Sequence, residues 1–166
     1  MRPLILASSF LFLVLGGVVN ATSKNVEWKI KTMKDDFRGT SYTFIHSSLV
    51  RPSVPLRFPY EDLVVRMNVF CDNTIDEVDL SFNQDLSLIE GRRTNFNSSL
   101  YSIEARLDNK FETLYGEIKN ESRNTISIQS GKRAILNYKE VAFQIKHSSG
   151  TTHYKFDLTN FPKSCN

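Results

Sequence analysis

The groups able to do chemistry are few, and their spacing decides most of what they can do. Three histidines are present, His46, His147 and His153. Apolar and polar residues alternate from Val141 to Leu158, which puts His147 on the face of Phe143 and Ile145, and His153 on the opposite face with Lys155 and Asp157. Opposed faces prevent that pair from sharing a proton or a metal. His46 has only Ser47 and Ser48 as polar neighbours. A serine nucleophile would need a strained turn of the GxSxG kind, and the chain has none. Asp35, Asp36, Asp76, Glu77, Asp108 and Glu112 fall in turns or on outward strand positions, where carboxylates are ordinarily solvated. Phosphate loops, dinucleotide fingerprints and EF-hand loops are all missing. The residues thus point to a non-catalytic protein with no metal and no cofactor.

Cys71 and Cys165 are the only cysteines. They lack the CxxC spacing and histidine neighbours of a metal site. Their redox setting follows from the N-terminus. Met1-Arg2-Pro3 leads into an apolar run from Leu4 to Val19, and Val19-Asn20-Ala21 offers small residues for a cut after Ala21. Residues 1–21 therefore read as a signal peptide and residues 22–166 as one domain, periplasmic or secreted, without a stable membrane anchor. In an oxidising compartment the two thiols are expected to bridge. Closing so long a loop stabilises a fold by roughly 4–5 kcal/mol in the chain-entropy view.

The elements that must position these groups read as short strands. Val26, Trp28 and Ile30 alternate with polar residues, Lys34–Gly39 turns the chain, and Tyr42 and Phe44 return. A turn at Asp72-Asn73 would pair Met67 with Val78, Val65 with Leu80 and Leu63 with Phe82, with Cys71 on the same face. Another hairpin surrounds Asp108-Asn109-Lys110. Ala134, Ile135 and Leu136 suggest one helical turn. A turn at Ser149-Gly150 would pair Val141 with Leu158, Phe143 with Phe156 and Ile145 with Tyr154. The expectation is an all-β fold of eight or nine antiparallel strands, a sandwich or a half-barrel, with one disulfide.

Between the second and third strands, Arg51–Asp62 holds Pro52, Pro55 and Pro59, which bars it from a central strand. Leu56, Phe58 and Tyr60 put apolar surface on this loop. They form either a contact site for a protein partner or a cover over an open end of the core. The formal charge of +3 is dispersed, so nothing marks a nucleic-acid face, and Lys132-Arg133 reads as a solvated turn. Asn97 and Asn120 head glycosylation triplets that matter only in a eukaryotic or viral setting.

An early Trp28, the Asp35-Asp36 turn, a Leu63–Cys71 strand with Asp72-Asn73, Arg106-Leu107-Asp108, Phe156-Asp157-Leu158 and Cys165 follow one another in an order that resembles bacterial periplasmic proteins of the VasI type, associated with type VI secretion. The resemblance spans nearly the whole of residues 22–166. It implies the fold, a periplasmic address, a disulfide and an accessory role with an envelope partner, and it brings no catalytic residues. The chain departs from that pattern near its end, where Thr159–Ser164 replaces a Gly-Leu and a short helix. A lipocalin-like carrier of an apolar ligand is the alternative, similar in length, early Trp and late Cys. Such a fold requires a helix after its barrel, where Gly131–Asn166 reads as a hairpin, and a Gly where Val26 stands. A secreted eukaryotic or viral glycoprotein is the third reading.

Overall fold

The computed structural model describes residues 26–37, 39–72, 74–85, 92–94, 98–118 and 123–165. Residues 1–21, expected from the sequence to be a signal peptide, lie outside the described residues with Asn97 and Asn120, as does the Cys165 side chain. The strands are β1 (Trp28–Asp35), β2 (Thr40–Ser47), β3 (Val65–Asp72), β4 (Thr74–Phe82), β5 (Arg92–Thr94), β6 (Ser98–Leu107), β7 (Lys110–Ile118), β8 (Thr125–Ile128), β9 (Glu140–His147) and β10 (Gly150–Asp157). A single helical turn, α1 (Lys132–Ile135), joins β8 to β9, and Lys163–Cys165 forms a short 3-10 turn. The all-β expectation is met.

A sandwich is not what the strands build. They form one antiparallel sheet in the order β1-β2-β3-β4-β8-β7-β6-β9-β10, with β5 beside β6. Each hairpin joins neighbours in sequence, so nothing in the pairing divides the sheet into two stacked layers. The sheet curls far enough for the start of β1 to touch the end of β10, although the two strands do not pair. The Trp28 indole N–H on β1 donates to the Asp157 carbonyl on β10 at 3.0 Å, and the Trp28 ring meets Phe161 edge-on at 4.9 Å.

Alternation places the apolar side chains inside. Val65, Met67, Val69 and Cys71 of β3, Val78, Leu80 and Phe82 of β4, Ile103, Ala105 and Leu107 of β6, and Val141, Phe143 and Ile145 of β9 belong to one buried cluster. Tyr154, Phe143, Phe156, Met67 and Leu80 are fully buried. Cys71 is part of this core.

Two registers differ from those the sequence suggests. In the β3–β4 hairpin Val65 pairs with Phe82, Met67 with Leu80 and Val69 with Val78. The turn closes with Asp72 opposite Thr74, and a bulge between Phe70 and Cys71 takes up the extra residue. In the last hairpin Val141 pairs with Phe156, Phe143 with Tyr154 and Ile145 with Thr152. Its turn is Ser148-Ser149, and Gly150 already belongs to β10, at φ 135 opposite His147. Both shifts are of two residues, so every side chain keeps its expected face. The β6–β7 hairpin turns at Asp108-Asn109 as expected, with Leu107 opposite Lys110. Asp108 takes a left-handed conformation at φ 52, and its Oδ1 accepts the Lys139 and Glu140 N–H groups at 3.0 and 2.9 Å.

Candidate functional site

The Arg51–Asp62 loop has few backbone donors to spare, because three of its twelve positions are proline. Two of the donors that remain, Ser53 and Val54, tie the loop to β10. Val50 and Val65 exchange both backbone bonds at 2.8 and 3.0 Å. Ser53 N–H donates to His153 O at 2.9 Å. Thr152 Oγ1 accepts from Val54 N–H at 3.2 Å and donates to Val54 O at 3.0 Å. Tyr60 N–H closes a turn onto Arg57 O, and Leu63 N–H one onto Tyr60 O. The peptide bond between Phe58 and Pro59 is cis.

These anchors sort the three side chains proposed from sequence. Leu56 and Tyr60, at 6% and 7% exposed, are packed into the core, while Phe58 is 81% exposed. Leu56 and Tyr60 therefore cover the end of the core and offer no contact surface. Phe58 keeps that possibility, accompanied on the same stretch of chain by the exposed Leu49 and Val54. The sequence shows the apolar residues but not which of them turn inward. Proline-rich backbone has no strand period to read.

Beneath the loop lies a pair of interacting buried titratable side chains, His147 and Tyr154. His147 is fully buried, and its Nε2 lies 3.2 Å from the Tyr154 hydroxyl. The rings of Tyr60 and Phe82 stand 5.9 and 6.1 Å from its own. Its Nδ1 is buried without a hydrogen-bond partner. Burial pushes the His147 pKa down to about 4 and that of Tyr154 well above the usual phenol range. The neutral imidazole, hydrogen-bonded to the Tyr154 hydroxyl and walled by aromatic rings, packs as part of the core.

The other chemistry-bearing residues stay apart. His46 points outward from β2, its Nδ1 3.2 Å from Ser47 O and its ring 5.5 Å from Phe44. His153 is exposed on β10, on the face opposite His147, as the alternation requires. Asp35 accepts the Phe37 N–H and so caps its own turn. Glu77 accepts from the Ser127 hydroxyl at 3.0 Å, and Glu112 is exposed. Asp76 belongs to β4, but its side chain is outside the described residues. Hydrogen bonds from Thr159 hold the Asp157 carboxyl below the usual range. Arg106 and Lys155 both bridge to Glu140. Lys132 and Arg133 sit on α1, beside a shallow groove lined by Ile75, Gln129, Gly131 and Ala134. Among the described residues no three His, Cys, Asp or Glu side chains are grouped to hold a metal ion, and no helix is long and apolar enough to cross a membrane.

Sequence reasoning missed the Trp28–Asp157 tie and the burial of Asn68, Asp79 and Ser127. The last three occupy outward strand positions, which alternation alone assigns to solvent. Compared with family models, curated proteins and solved structures, the chain matches none.

Proposed function

We propose that this chain is an exported, non-catalytic binding module of the bacterial envelope, closed by a Cys71–Cys165 disulfide, that holds a protein partner through the outward half of its Pro-rich loop. The observation that carries this reading is the division of that loop: Leu56 and Tyr60 are fixed in the core, and Phe58 is held out at 81% exposed. A large side chain kept in water by a rigid support has its conformational cost already met, which favours association. The large aromatic side chains packed together inside the sheet favour this reading over the lipocalin-like carrier. The position of Cys71 in the core supports the bridge, since a buried thiol at a strand end is well placed to tether a tail. The link to type VI secretion belongs to this proposal through the VasI-type resemblance.

A photo-crosslinking residue placed at position 58 tests the proposal in periplasm of a cell that carries the gene. A discrete crosslinked species is expected from position 58 and not from position 115, where exposed Tyr115 serves as control. Equal labelling from both positions, or none from 58, removes the loop as the contact. Recovery of the protein from the periplasm with its N-terminus at Thr22 tests export. Two titratable thiols in the native protein would end the disulfide.

A further inference from the structure

The two margins of the curled sheet are finished differently. The free side of β10 is occupied by the Ser53–Val54 backbone. β1 pairs with β2 along all eight of its residues and with no other described strand. Each residue from Lys29 to Lys34 is exposed. An apolar row runs across the sheet from Val78 through Val69 and Ile45 to Ile30. Its first three members are fully buried, whereas Ile30 ends the row 52% exposed, and Met33 on the other face is 39% exposed. The row stops one strand short of cover.

The charges on β1 select what could supply that cover. Lys29, Lys31 and Lys34 stand among its eight residues. Lysines on an edge strand oppose pairing with a like edge. Two β1 strands meeting side by side would bring six lysines together with only the two Asp35 carboxylates from the same strands, a net like-charge seam that disfavours a second copy of this chain as the occupant. An extended segment carrying carboxylates meets the opposite condition, because cross-strand pairs of opposite charge stabilise a sheet and like charges destabilise it. Lys29 and Lys31 share one face and Ile30 lies on the other, so alternation in the incoming strand would answer both.

The geometry points to β1 as an edge that accepts an extended acidic peptide segment of another protein, with Asp or Glu beside Lys29 and Lys31 and an apolar residue beside Ile30. Main-chain hydrogen bonds supply the affinity in this mode, and the alternating side chains supply the selection. The surface is separate from the Pro-rich loop and stands whether or not that loop makes a contact.

The test uses the mature, oxidised protein labelled for amide NMR, with two synthetic acetylated octapeptides, one alternating glutamate with valine and the other lysine with valine. The glutamate peptide is expected to shift and protect the amides of β1, to bind at least tenfold more tightly than the lysine peptide, and to weaken as salt is raised. A Lys29→Glu/Lys31→Glu variant, altered only at exposed positions, should melt as the parent does and reverse the order of the two peptides. Absence of binding, equal binding of both peptides, changes centred away from β1, or a dimer of the protein alone built on β1 would overturn the inference. The Phe58→Ala variant should leave the titration as it was, so a failure here and a failure of the loop contact are read separately.

Discussion

The Trp28 indole and the Asp157 carbonyl, 129 residues apart in sequence, meet at 3.0 Å and join the first strand to the last. Trp28→Phe removes this hydrogen bond while keeping a ring against Phe161, and should lower stability by about 1 kcal/mol. Trp28→Ala also removes the edge-on contact and should cost about 2 kcal/mol more. Urea unfolding of the two variants separates the bond from the packing.

The loop residues should part company under substitution. Tyr60→Ala deletes a buried ring and is expected to lower stability by about 3 kcal/mol. Phe58→Ala alters a side chain in solvent and should stay within about 0.5 kcal/mol of the parent. Melting curves of the pair check the division directly. Similar losses for both would mean that Phe58 packs against the protein.

Acid should weaken the fold through His147. Its pKa in the folded chain, about 4, lies below the 6.5 of the free side chain, so folding favours the neutral ring. The contribution is complete above pH 6.5, declines as pH falls, and is gone below about pH 4. A shift of this size corresponds to about 3 kcal/mol. His147→Phe should flatten the pH dependence of stability between pH 4 and 6.5, as measured by urea midpoints. Tyr154 acts at the other extreme: its pKa is raised on folding, so stability should fall as alkali ionises the phenol in the unfolded chain.

Gly116 on β7 has no room for a side chain. A Cβ there would sit 2.5 Å from Ile126 Cγ2 and 2.8 Å from Ile103 Cδ1. Gly116→Val should destabilise by about 1–3 kcal/mol through overpacking. Thermal melting checks the loss, and an unchanged midpoint would show that the two isoleucines move aside freely.

The inward faces were legible in the sequence, and the registers were not. Alternation assigned Met67, Val78, Phe143, Phe156 and His147 to the interior because side-chain direction depends only on parity. Register depends on where a turn closes, and Ser148-Ser149 competes with Ser149-Gly150 at small energetic difference. The bulge beside Cys71 left no sequence mark. Ile30 marks another limit. It alternates correctly with Trp28, yet it is half in water because no strand among the described residues lies beyond β1. Alternation states which way a residue points, and only the order of strands states whether anything stands there. For the same reason Leu56, Phe58 and Tyr60 could be found as a group but not sorted.

The Val54–Thr152 bonds connect backbone and side chain across 98 residues. A chain synthesised from its N-terminus presents Val54 long before Thr152 exists. Until the closing hairpin arrives, Leu56 and Tyr60 have no finished surface to settle on, and their greasy side chains stay open to capture by whatever attends a newly delivered polypeptide. Contacts of such span are slow to form. Maturation of this protein should accordingly be governed by the arrival of its tail, and a message truncated before residue 150 should yield a product cleared by proteases instead of a smaller stable domain.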